Sequence, residues 1–414
     1  MLAAGRMTED THRHPPNPVL LVLSLLTAAA LWGLPLLNIA PNRLVSGQPI
    51  YFLSIAKTDT FSLLASVFIA LTAMLLVVSL LSAVIGKFKH RALWLTALLL
   101  VVLLLSTACL PGLLWLASMR GSAAMQGELP LARAFLGSGF WAALVLLGLT
   151  VSSALQRLRA TLLLKAAVGT ALLLAFGLLL ASGACADVSL VREYTSRADD
   201  FAQLINRHMQ IVLLALAFSL AFGLPLGWAV HTRPAVGQLV FPVLNTLQTI
   251  PSIALFGLLM APLALLAASL PAVGRAGISG VGLAPAVIAL TLYGLLPIVR
   301  GTLAGLQQIN PAMVQAGRAL GLTQRQTLLY VQLPLALPVL LGGVRTAAVS
   351  SVGLAAVAAL IGAGGLGSLL FEGLFANAQD LVLLGVLPIV ALGVGVDLLF
   401  KLLMGWASQR ARPC

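Results

Sequence analysis

The run Gly362, Gly364, Gly365 and Gly367 is the segment most suggestive of chemistry, because a glycine-rich turn can wrap backbone N–H groups around a phosphate. No GxxxxGK[ST] pattern follows it or occurs anywhere in the chain, so a nucleotide site is not predicted. Two readings remain for these glycines: a gate or tight helix packing, or a plain loop. Charged residues inside apolar stretches are the next candidates, since burying a charge in lipid is costly and is usually retained for function. Arg345, Lys165 and Asp397 are such residues. Asp397 and Lys401 stand four apart with the acid first, which favours a structural pair on one helix face. Lys165 lies one turn from the end of its apolar run and can extend its ammonium to water. Arg345 is deeper, and a structural or a gating contact fits it equally. No series of Asp, Glu or His suits proton relay, and no HExxH pattern occurs. Cys109, Cys185 and Cys414 form no CxxC pair and have no histidine at ligand spacing, so inert thiols are expected. No catalytic residue, metal site or cofactor is predicted, and no enzymatic activity of the chain's own is expected.

The elements that carry these residues follow from composition. Of 414 residues 60% are hydrophobic and 8% charged, too little polar surface to cover a water-soluble globule of this size. Apolar runs of about 20 residues, enough to cross about 30 Å of hydrocarbon, recur along the chain. Unbroken runs indicate helices, since barrel strands would alternate. An all-α polytopic membrane protein with about ten transmembrane helices is predicted, over residues 18–38, 61–85, 92–118, 134–155, 161–183, 209–230, 238–266, 284–300, 334–361 and 381–404. The first run is read as a retained helix, not a cleaved signal. The net charge of +13 is scattered between the runs, unlike the single basic face of a nucleic-acid binder, so no nucleic acid is expected. Lys and Arg cluster in alternate loops (Lys87, Lys89 and Arg91; Arg157 and Arg159; Arg318 and Arg325; Arg410 and Arg412), which predicts both termini cytoplasmic.

The two halves differ in content. Residues 1–195 supply five spans without a chemical pattern and read as an accessory transmembrane region. Residues 196–207 read as a short amphipathic lead-in on the periplasmic side, with Phe201, Leu204 and Ile205 at helical spacing. The second half, 208–404, is punctuated by Gly and Pro, including Gly223, Pro225, Pro242, Pro251 and Pro297, as in broken helices that line a pathway. A tail over 405–414 follows. Tyr293, Phe241 and Phe256 offer aromatic faces that could hold a quaternary ammonium ion, with core packing the preferred reading of each.

The longest inner loop, 301–333, reads as a helix, a turn and a helix. Asn310 is placed to cap the first helix with Pro311 at its first position. Gly321 is placed to close it. Thr323 and Gln326 are spaced for a capping box that starts the second helix. Met313, Ala316, Gly317 and Leu320 recur at helical spacing, giving a small, mildly apolar face suited to a partner.

The stretch Gln315, Ala316, Gly317, then Gly321, then Val331, Leu333 and Pro334 resembles the EAA motif of binding-protein-dependent ABC transporter permeases, whose consensus is EAA, then Gly, then I-x-LP. Gln315 and Gly317 depart from its Glu and second Ala. The resemblance implies a type I importer core in the last five spans, with Gln315, Ala316, Gly317, Gly321, Leu333 and Pro334 coupling it to a separate cytoplasmic ATPase. The segments HMQIVLLALAFSLAFGLPLG (208–227), LQTIPSIALFGLL (247–259) and LPLALPVLLGGVRTAAVSSVGLAAVAALIGAGGLG (333–367) resemble the osmoprotectant branch, which takes up glycine betaine, choline or carnitine. The five extra amino-terminal spans resemble the longer permeases of that branch. The resemblance also implies a periplasmic substrate-binding protein, a second permease subunit and an inner-membrane location. Arg345, Gly362, Gly364, Gly365, Gly367, Pro251 and Tyr293 are carried forward as gate or pathway candidates. The alternative is a secondary transporter or channel for a small solute, independent of any ATPase.

Overall fold

The structure, a computed structural model, describes residues 19–41, 47–52, 70, 72–74, 76–81, 91–125, 132–275 and 277–410. Both chain ends, Cys414 and most of the expected second span (61–85) lie outside these residues. Among the described residues eight helices are long and apolar enough to cross a membrane, in place of the expected ten spans. The first apolar run accounts for part of the difference. Its helix α1, Val19–Gly33, has 15 residues and stops at Pro35, where the chain turns into a strand. A proline ring would clash with the carbonyl four residues back in a continuing helix.

The chain divides into two compact units, Met1–Arg192 and Glu193–Cys414. The first contains something that hydropathy does not announce, a three-stranded antiparallel sheet in the order β2-β1-β3. Its strands are β1, Pro35–Ala40, β2, Gln48–Tyr51, and β3, Arg133–Leu136. The helices of this unit include α1, α2 (Arg91–Met125), α3 (Ser138–Arg157) and α4 (Leu162–Ala181). Leu36, Leu37 and Ala40 of β1 are buried, and Leu36 and Leu37 join Leu20, Leu31, Leu113, Phe140 and Leu147 in one apolar core. Cys109 and Cys185 are buried free thiols.

A short helix α5, Ser189–Ser196, precedes the long helices of the second unit. The expected lead-in over 196–207 is not a separate helix: α6 runs unbroken from Ala198 to Thr232, and Phe201 and Ile205 belong to its first turns. The expected span 238–266 is divided, since Pro251 stands between α7, Pro234–Thr249, and α8, Ser252–Ser269. The short helix α9, Pro271–Arg275, is followed by α10, Leu283–Gln307, and α11, Pro311–Ala319. Then come α12, Gln324–Thr327, α13, Leu333–Val357, α14, Gly367–Phe375, and α15, Gln379–Arg410.

Helices α6, α10 and α13 pack through small residues, as is usual where lipid removes the hydrophobic drive for association and close van der Waals fit must replace it. Gly301 of α10 faces Gly343 of α13 so closely that a Cβ on Gly301 would lie 2.8 Å from the Gly343 Cα. A Cβ on Gly227 of α6 would lie 2.6 Å from the Thr302 Cβ of α10. At one end of the unit, Arg197 donates to both carboxylate oxygens of Glu372 on α14, at 3.0 and 2.6 Å, and to Glu193 at 2.9 Å.

Candidate functional site

Helices α11 and α12 form the hairpin that local sequence rules describe. The Asn310 side chain accepts from the Ala312 N–H at 3.0 Å, and Pro311 begins the helix where its missing N–H is harmless. The helix closes through paired bonds from the Gly321 N–H to the Arg318 carbonyl, 2.9 Å, and from the Leu322 N–H to the Gly317 carbonyl, 3.2 Å. This closure places residue 321 in the left-handed region, φ +84°, which glycine adopts without steric cost. The Thr323 hydroxyl accepts from the Gln326 N–H at 3.3 Å, and the Gln326 side chain accepts from the Thr323 N–H at 2.8 Å, completing the capping box.

The face of α11 differs in one respect from the spacing argument. Gly317 is buried, and a Cβ there would sit 3.4 Å from Leu322 Cδ1 and 3.5 Å from Val331 Cγ2. The position is tucked between the two arms of the hairpin, with a Cβ there falling at ordinary contact distance. Met313, Gln315, Ala316 and Leu320 are exposed, Leu320 at 84%, and Leu329 and Tyr330 are exposed at the base. Between α12 and α13 the chain makes one wide π-helical turn, Leu328–Gln332, before Leu333 and Pro334. In a regular helix the Pro334 ring would meet the carbonyl of Tyr330, and a wider turn relieves that clash. The hairpin thereby runs into α13 without a flexible joint.

A second set of candidates lies around the break between α7 and α8. The Ile250 carbonyl, stranded where the helix is interrupted before Pro251, accepts from the Tyr293 hydroxyl of α10. Gln248 Nε2 donates to the Tyr293 carbonyl at 2.9 Å. Helices α7, α10 and α13 border an open-sided cavity of about 490 Å³ beside this junction, and Tyr293 and Gln248 lie on its wall. Arg300 is on the same wall and donates to Asn245 Oδ1 at 2.8 Å. Phe256 and Phe241 pack into apolar clusters and are not among the residues that line the cavity.

The remaining candidates are brought together elsewhere. Arg345 does not line the cavity, although its neighbour Thr346 does. The Arg345 guanidinium pairs with Asp397 of α15, and Lys401 Nζ contacts the other oxygen of that carboxylate at 2.7 Å. Sequence spacing identifies the pair within α15; the third partner comes from a helix rotation that spacing does not encode. Gly362, Gly364 and Gly365 all have left-handed backbones, with φ +76°, +79° and +83°. The loop is held against α6: Arg207 Nε donates to the Ala363 carbonyl at 2.8 Å, and Gly365 lies where a Cβ would come within 3.1 Å of the His208 Cα. Gly367 packs against the backbone of Ala356. The roles of Arg207 and His208 in seating this loop have no sequence signal beyond their polarity.

This set of features, a capped hairpin projecting from a bundle of small-residue-packed spanning helices, belongs to a membrane transport subunit. Residues 219–413 match the family described as binding-protein-dependent transport system inner membrane component, and residues 15–191 match the family described as ABC transporter permease YehY, N-terminal domain. The osmoprotectant import permease protein OsmW of Salmonella typhimurium is 40% identical over 47% of this chain and 86% of its own. The glycine betaine/carnitine/choline transport system permease protein OpuCD of Bacillus subtilis is 33% identical over 53% of this chain and 88% of its own. The choline transport system permease protein OpuBD of the same organism is 34% identical over 50% of this chain and 84% of its own. The chain belongs to the binding-protein-dependent ABC transporter permease family and groups with the permeases of osmoprotectant import systems.

Proposed function

We propose that this chain is the membrane-spanning subunit of an inner-membrane importer that moves a small osmoprotectant, glycine betaine or a related quaternary ammonium compound, with energy from a separate ATPase. The observation that carries the mechanism is the exposed face of the hairpin. Met313, Ala316 and Leu320 leave apolar surface uncovered on an element fixed by caps at both ends, and such surface suits a protein partner. Gln315 and Ala316 would meet the ATPase. Gly317 and Gly321 would shape the helix that docks, and Leu333 and Pro334 would pass its movement into α13. Gln315 offers a neutral amide where an acid is usual in the family, so docking relies on shape and apolar contact.

The same reading gives both termini to the cytoplasm, a binding protein to the periplasm, and a second permease subunit beside this one. Residues 1–195 serve as an accessory transmembrane region, and 208–404 as the transport core. Pro251, Tyr293, Arg345 and the glycines Gly362, Gly364, Gly365 and Gly367 are its gate and pathway candidates. Proteoliposomes holding the chain, its ATPase and its binding protein should take up glycine betaine only with ATP. Ala316→Asp, an exposed change that leaves the caps intact, should reduce uptake at least tenfold, a loss of about 1.4 kcal/mol or more in coupling. Uptake without ATP, driven by an ion gradient, would favour a secondary carrier.

A further inference from the structure

Among the described residues, the cavity bounded by α7, α10 and α13 carries one charged side chain on its wall, Arg300, and no carboxylate. Its other polar groups are neutral: Gln248, Tyr293, Thr346 and Ser350. Thr346, Ser350 and Arg300 are exposed on long apolar helices, an arrangement that direct contact with lipid would penalise and that a water-filled path or a bound solute relieves, and the exposed Gln248 joins them from the end of the shorter α7. The bound state of the arginine also matters. Its guanidinium has five N–H donors, and its bond to Asn245 Oδ1 is to a neutral acceptor; among the described residues no carboxylate is paired with it. The nearby Arg345 is matched to Asp397, with Lys401 on the same carboxylate, so that cluster brings no negative charge to the cavity either.

We propose that this cavity is a transit site that selects zwitterions over simple cations, with Arg300 receiving the carboxylate of the solute. The inference rests on the transport reading given above and narrows its substrate class to betaines that carry an acid group. Tyr293 lies two turns from Arg300 on α10, about 10 Å along the axis. A carboxylate held at Arg300 offsets the charge of that arginine and leaves the quaternary ammonium end directed toward Tyr293, Thr346 and Ser350, where an aromatic face can meet it. A choline-like cation would enter the same field with nothing to compensate the arginine. Selection here works by repulsion of the wrong solute as much as by attraction of the right one.

The decisive experiment compares uptake of glycine betaine and of choline by the full chain with its ATPase and binding protein in proteoliposomes. Arg300→Gln should shift the ratio of the two rates at least tenfold toward choline, and Arg300→Lys should keep it within about twofold, because the charge remains. An unchanged ratio in Arg300→Gln overturns the site, even if total uptake falls. Wild-type complex that transports neither solute overturns the transport reading itself, a different result. A second measurement needs neither Arg300 variant nor the binding protein. Thr346→Cys, in the complex with the ATPase in nanodiscs, should react with a neutral maleimide several-fold more slowly in the presence of glycine betaine, and at the same rate with or without choline. Equal protection by both solutes, or protection by neither, also overturns the proposal.

Discussion

Asp397 accepts two cations from two directions, Arg345 on a neighbouring helix and Lys401 one turn along its own. Removing one member of such a set costs more than removing the set, because a charge without its partner remains on a spanning helix. Asp397→Ala is therefore expected to lower the melting temperature in detergent, and Asp397→Ala with Arg345→Met should recover part of the loss; a double variant as unstable as the single one would show that the ion pair is irrelevant. A second residue-scale expectation concerns Cys185. Burial pushes its thiol above the ordinary range, while a bond involving Ser118 acts in the opposite sense. Less thiolate is then present at any pH near neutrality than on an exposed cysteine, and the thiolate is the reactive form. Maleimide labelling of the folded chain at pH 8 should be several-fold slower at Cys185 than at a surface cysteine, and should gain speed as pH rises further. At this scale the sequence was legible where partners share a helix, as Asp397 and Lys401 do. Arg345 joining them, and Tyr293 capping the stranded Ile250 carbonyl, depend on how helices rotate against each other, which no local spacing encodes.

The hairpin over 310–333 shows how far local rules reach when short-range bonds decide the outcome. Asn310, Pro311, Gly321, Thr323 and Gln326 all have the roles that their types and spacing predict. Thr323→Ala should cost about 1 kcal/mol of local stability, as loss of a capping hydroxyl does, and should appear as faster amide exchange over 323–327. Other elements were less legible. The strands have six, four and four residues, too few for an alternating pattern to stand out, and β1 is embedded in an apolar run. The π-helical turn before Pro334 arises from a clash within a helix and leaves no mark in hydropathy. Pro251 stood out in the sequence, yet the apolar run passes straight over it, so the break between α7 and α8 was hidden within one expected span. The contact of Gly301 with Gly343 yields a further expectation: Gly343→Val has no room without moving α10 from α13, and overpacking of this kind costs about 1–3 kcal/mol. A lowered melting temperature with uptake lost would follow; a stable, active variant would mean that the helices are free to separate.

Across the whole chain, the match to the binding-protein-dependent transport family lies within the second unit, and alignments to most of the length of relatives such as OsmW and OpuCD fall within about half of this chain. A chain beginning at Glu193 is accordingly expected to insert, to bind the ATPase and to support ATP-dependent uptake at a measurable rate. Loss of uptake with ATPase binding retained would assign the first unit a part in transport itself. The class of molecule was legible from composition alone, because an apolar fraction of 60% admits only lipid as solvent. The first unit was not, because a helix that faces lipid is apolar on every side and lacks the two-faced pattern from which packing is inferred.

The sheet in that first unit has a consequence for synthesis. Ala40 at the end of β1 pairs with Arg133 at the start of β3, roughly ninety residues later. At ribosomal rates of about 5–20 residues per second, the central strand waits on the order of 5–20 s for one of its two neighbours to emerge. Until then one edge of β1 offers unpaired N–H and C=O groups, open to any strand that arrives first. Chain order thus makes the arrival of β3, after α2, the step at which this unit either closes on itself or pairs with a stranger.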